Sequence, residues 1–214
     1  MNVRVIVQRC WVELATRHDF SGPASQRVLD ELLHAYAEPH RFYHTLDHIA
    51  ALLRLLDEHG LDAKDRDALV LAMLFHDAVY DPARQDNESA SADFASERLK
   101  TLGAPADIIA TVRRLILATQ HEAVNASSHV DPDLELLLDL DLSTLAGSPD
   151  DYRAYGQAIR REFALYPDEV YRPGRRRMLQ GFLARDRIFR TPRLFALWEA
   201  PARSNIAGEI AELT

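Results

Sequence analysis

Seven consecutive apolar residues, Leu69-Val-Leu-Ala-Met-Leu-Phe75, run directly into His76 and Asp77. Wound as a helix, this stretch is apolar on every side, yet it is far shorter than the roughly 20 residues that a bilayer span needs. It therefore reads as a helix in the centre of a protein core. An imidazole and a carboxylate at the end of such a helix cost several kcal/mol unless something pairs with them. A divalent cation does so for both residue types. Adjacent helical residues, about 100° apart, can converge on an ion lying over the edge between them.

Two further polar residues fall on apolar arcs. In the helix beginning near Leu46, the residues Leu46, Ile49, Leu52, Leu53, Leu55 and Leu56 share a broad face opposite Asp47, Arg54, Asp57 and Glu58, and His48 lies on the apolar side. A lone histidine there is more often a satisfied core residue than a ligand, so His48 gains weight only from its company. In Leu134-Glu-Leu-Leu-Leu-Asp-Leu-Asp-Leu142, helical rotation groups Leu134, Leu137, Leu138, Asp141 and Leu145, and sends Glu135, Asp139 and Ser143 to the far side. Asp141 then reads either as a ligand or as a buried carboxylate that caps a helix or pairs with an arginine. A metal held by His48, His76, Asp77 and Asp141 is the simplest account of all four.

Elsewhere apolar residues recur at helical spacing and period-two alternation is hard to find, which predicts an all-α fold of about ten helices. The segment carrying the doublet extends over Lys64 to Val79, breaks are expected at Pro173 and Pro201, and a weak pair of helices closes the chain. The longest gap, His121 to Asp131, is of the kind that borders sites. The expected organisation is one compact helical domain over residues 1–214. Its core covers about residues 25–190, and the terminal helices pack on it. With 47% hydrophobic and 27% charged residues, the chain has ample material for a core.

A net charge of −8 disfavours a sequence-blind grip on nucleic-acid polymers. Cys10 is the only cysteine, which excludes an intramolecular disulfide and a thiolate zinc cluster and fits a reducing, cytoplasmic setting. Met1 to Leu14 is too interrupted for a secretory or membrane segment. A homodimer is compatible with the sequence, although no surface stripe singles out an interface.

The polar residues fit a known pattern. A lone His, a His-Asp doublet ending an apolar helix and a later inward Asp resemble the H…HD…D arrangement of the HD-domain metal-dependent phosphohydrolases. More narrowly, Tyr43-His-Thr-Leu-Asp-His-Ile49, Phe75-His-Asp-Ala-Val-Tyr-Asp81, Asp86-Asn-Glu-Ser-Ala90 and Leu138-Asp-Leu-Asp-Leu-Ser143 resemble a bacterial subgroup of stand-alone predicted HD phosphohydrolases. The similarity runs from about Trp11 to Trp198. It implies a compact HD-like bundle and ligands at His48, His76, Asp77 and Asp141. HD families that hydrolyse guanosine tetraphosphate continue the doublet as HDxxED. Here Asp81 matches the second acid and Tyr80 replaces the first, which puts the same substrate in doubt.

Four N/O ligands on a six-coordinate ion leave room for water and a phosphate oxygen, so the ion acidifies the nucleophile and offsets developing charge. A ligand set without thiolate suits Mn, Fe, Co, Ni, Zn or Mg. Asp81, one turn past the doublet, is either a general base or a turn residue leading into Pro82. Glu88 shares a face with Ser91, Ala92, Ala95 and Leu99, and either points toward the site or answers the helix dipole. His44 and, largely on the resemblance, His121 are candidates for a second metal or for phosphate. Arg41 and Arg84 are candidates for a two-pronged phosphate contact, or else are solvated or salt-bridged. Tyr152 and Tyr155 are expected to pack rather than to stack on bases. The expected function is hydrolysis of a small phosphorylated metabolite, with a nucleotide favoured. A catalytically weak metal- or nucleotide-binding regulatory module with the same fold is the alternative, and a metal-free helical interaction protein is a third reading.

Overall fold

The computed structural model describes residues 2–60, 63–120 and 131–213. It is all-α among those residues, with ten α-helices and one 3-10 segment. The helices are α1 (Val3–Arg17), α2 (Gly22–Ala35), α3 (Leu46–His59), α4 (Arg66–Phe75), α5 (Asn87–Thr101), α6 (Ala106–Leu117), α7 (Pro132–Asp141), α8 (Pro149–Glu162), α9 (Asp168–Leu183) and α10 (Pro192–Glu212). The 3-10 segment is Leu142–Ala146. None of the described helices is long and apolar enough to cross a membrane.

The chain divides into two compact units, Met1–Leu137 and Leu138–Thr214. In the first, α4 is the central element. Every residue from Ala68 to Phe75 is buried, as an all-round apolar stretch requires. Its start is held by two carboxylates. Asp65 accepts from Ala68 N at 2.9 Å, and Asp133, in the first turn of α7, accepts from Lys64 N at 2.8 Å and Asp65 N at 2.7 Å. The helix is shorter than the sequence pattern predicts, ending at Phe75 rather than Val79, so the doublet sits at the helix cap and just past it.

Neighbouring helices reach α4 by ordinary means. Trp11 of α1 meets the Phe75 ring edge-on at 6.4 Å and donates to Ser25 Oγ of α2. Thr45 caps α3, which buries His48, Ile49, Leu52, Leu53 and Leu56. Gly60 ends it where a Cβ would lie 2.5 Å from the Leu56 carbonyl oxygen, so only glycine fits without a shift. Small residues on α5, Ser91, Ala92 and Ala95, are fully buried and allow close packing with α6 and α4.

In the second unit the 3-10 segment, α8, α9 and α10 enclose a cluster that includes Leu145, Leu179, Phe189, Ala202 and Ile206. Two expected breaks are absent. Pro173 lies inside α9 and Pro201 inside α10, which is a single 21-residue helix rather than a pair. Each proline frees the carbonyl four residues earlier, and those residues, Glu169 and Leu197, are exposed, so water can take the lost bond.

Candidate functional site

The end of α4 brings two histidines and a carboxylate together. His76 is 2% exposed and His48, on the buried face of α3, 7%. Their Nε2 atoms are 3.4 Å apart, and His76 Nε2 lies 2.9 Å from Asp77 Oδ2. His76 Nδ1 is 3.0 Å from the Met73 carbonyl oxygen, which fixes the proton on Nδ1. Nε2 is then the atom turned toward His48 and Asp77, and in a neutral ring it carries the lone pair. Ring nitrogens and a carboxylate oxygen thus lie side by side at the end of α4, and a backbone carbonyl orients one ring from behind as in metal sites.

The backbone after the doublet is fastened residue by residue. Arg41 donates to the carbonyls of Asp77 and Ala78 at 2.7 and 3.2 Å. Ser91 Oγ accepts from Val79 N and donates to Val79 O, both at 3.1 Å. His40 Nε2 is 2.9 Å from the Tyr80 carbonyl, and the Asn87 side chain pairs with both the N–H and the carbonyl of Asp81. An aromatic wall stands beside the histidines. The rings of His44 and Tyr80 lie tilted by 32° with centroids 4.2 Å apart, and the Tyr43 ring lies 4.9 Å from that of His48.

The remaining sequence candidates are scattered. Arg41 is buried among backbone carbonyls rather than turned to solvent. Arg84 is exposed and makes a two-pronged contact with Asp86 at 2.9 Å on each side. Asp81 is exposed and its Oδ1 accepts from Ala83 N, closing the turn into Pro82. Glu88 is half-buried in the first turn of α5, on the face of Ser91, Ala92, Ala95 and Leu99. His121 lies outside the described residues. Asp141 is the last residue of α7 and is half-buried.

Asp139 corrects the sequence reading. It is 0% exposed instead of facing outward, and it accepts from Arg190 N at 2.7 Å, Thr191 N at 2.8 Å and Thr191 Oγ1 at 2.7 Å. It therefore fastens the two residues that lead into α10, which begins at Pro192. Helical rotation assigns α7 one apolar face, but Leu136, Leu137, Leu138 and Leu140 are all buried, so its second half is covered all round. The lone thiol offers no alternative ligand. Burial and nearby Glu13 push Cys10 up to about 11, leaving it protonated at neutral pH.

Compared with family models, curated proteins and solved structures, the chain matches none.

Proposed function

We propose that this chain is a divalent-metal-dependent phosphohydrolase of the HD type, acting on a small phosphorylated metabolite, a nucleotide being favoured. The observation that carries the reading is the pair of contacts at the buried end of α4, His48 Nε2 3.4 Å from His76 Nε2 and His76 Nε2 2.9 Å from Asp77 Oδ2. Asp141 enters as a further ligand from the sequence, as the last acid of the H…HD…D pattern that His48, His76 and Asp77 begin. Asp133, in the first turn of α7, is fastened to the start of α4, and Asp141 closes α7 eight residues later, about 12 Å along the helix.

A bound divalent ion supplies Lewis acidity toward phosphate oxygen and an acidified water. The protein's own contribution is to hold two imidazoles and a carboxylate in fixed positions in a partly dry site, on a backbone that side chains fasten from Asp77 to Asp81. Asp81 and Glu88 stay as candidates for the proton acceptor, because both lie on the segments that follow the doublet. Tyr80 occupies the place where the guanosine tetraphosphate hydrolases that the doublet resembles carry an acid, and its ring packs on His44. This favours a substrate other than guanosine tetraphosphate.

The test is metal analysis of the purified chain together with phosphate release from a panel of nucleotides and phosphate esters, with Mn, Co, Ni, Zn and Mg supplied in turn. Bound metal and release that Asp77→Ala abolishes are expected. Bound metal with no release on any substrate would transfer the site to a regulatory module, and protein that takes up no metal would remove the reading altogether.

A further inference from the structure

Arg41 lies in the loop between α2 and α3, and its side chain is 0% exposed. A guanidinium stripped of water needs its N–H groups engaged. Here Nε donates to Glu38 Oε2 at 2.9 Å, Nη1 to the carbonyls of Asp77 at 2.7 Å and His44 at 3.3 Å, and Nη2 to the carbonyl of Ala78 at 3.2 Å. The rings of Tyr36 and Tyr80 each lie 5.3 Å from Cζ. The cation also sits just past the end of α4, where the helix dipole presents partial negative charge.

These contacts join two separate stretches. The His44 carbonyl belongs to the residue before Thr45, the cap of α3, and so to the lead-in to His48. Asp77 and Ala78 are the doublet's own turn. One side chain therefore fixes the offset between the loop that delivers His48 and the turn that delivers His76 and Asp77. Lysine cannot do this, because its single nitrogen cannot reach three carbonyls and a carboxylate in a planar fork.

We infer that Arg41 is a positioning residue that sets the spacing of the two histidines for a metal ion, and is not a phosphate contact. The inference rests on the metal reading of the site. Support from behind the ligands typically changes metal affinity by about 10- to 100-fold.

The test is Co²⁺ titration of the full chain, read by calorimetry and by the visible absorption of the bound ion, in wild type, Arg41→Met, Arg41→Lys and Leu99→Val. Leu99 is a buried residue near the far end of α5 from Glu88, and its variant reports what loss of stability alone does to binding. Arg41→Met is expected to raise the Kd at least about tenfold and alter the Co²⁺ spectrum. Arg41→Lys should recover part of the affinity and Leu99→Val should match wild type. Should Arg41→Met fail to fold, Arg41→Lys decides the matter by a weakened Kd and an altered spectrum. Wild-type affinity and spectrum in the Arg41 variants, or losses that merely track stability as in Leu99→Val, would overturn the positioning role. No Co²⁺ binding by wild type would remove the metal reading, and this inference with it.

Discussion

Both compact units bury charged side chains, but they surround them differently. In the second unit the carboxylates of Asp139, Glu199 and Glu209 meet protein donors. Asp139 accepts three hydrogen bonds from Arg190 and Thr191, while Glu199 accepts from the N–H groups of Ile188 and Phe189 and from Arg203. Glu209 receives Arg175 in a two-pronged pair at 2.7 and 3.0 Å, plus the Tyr152 hydroxyl at 2.5 Å. Burial, and then that carboxylate, hold the Tyr152 phenol well above its ordinary value. In the first unit the buried end of α4 sets two ring nitrogens 3.4 Å apart and one of them 2.9 Å from a carboxylate oxygen, and the nearby cation, Arg41, is directed at backbone carbonyls. A carboxylate among matched donors fastens helices together. Imidazole nitrogens and a carboxylate facing each other make a place for a cation.

This contrast can be broken by substitution. His76→Ala, Asp77→Ala and Asp141→Ala are expected to lower metal affinity and phosphate release by more than about 100-fold, with little loss of stability, because ligands should count for more than their supports. Metal analysis and unfolding curves on the same samples check both halves. Asp139→Ala is expected to behave in the opposite way, losing about 3 kcal/mol because three hydrogen bonds to a fully buried carboxylate go with it. Folded protein at low temperature should still take up metal. If Asp139→Ala removed metal at full stability while Asp141→Ala did not, the two aspartates would have to exchange roles. Arg175→Met comes next, at about 2 kcal/mol, since the half-buried Glu209 would lose its two-pronged partner and keep only the Tyr152 hydroxyl. Urea unfolding that leaves Arg175→Met as stable as wild type would mean that the pair is not what holds α9 to α10.

The difference between the regions also explains what could be read from the chain. The identity of α4 as a buried helix follows from its continuous apolar run, and the burial of His48 from its place on the arc of Ile49, Leu52 and Leu56. Both are local patterns. The burial of Asp139 depends on donors some fifty positions away, at Arg190 and Thr191, and no window along α7 contains them. Arg41 was visible only as a cation beside a histidine-rich stretch, because its partners at Asp77 and Ala78 are brought in by tertiary packing. The prolines of α9 and α10 misled for a related reason, since tolerance of a proline depends on whether the carbonyl it frees is exposed.

The attachment of Asp133 to Lys64 and Asp65 has a kinetic consequence. It closes a loop of 68 or 69 positions to complete the start of the most deeply buried helix, so the chain must bear that closure entropy before α4 is capped at both ends. The amides of Lys64 and Asp65 are thus expected to acquire protection against hydrogen exchange only when α7 arrives, after those in the middle of α4. Pulse-labelled refolding in which they are protected as early as Leu71 and Ala72 would rule out that order.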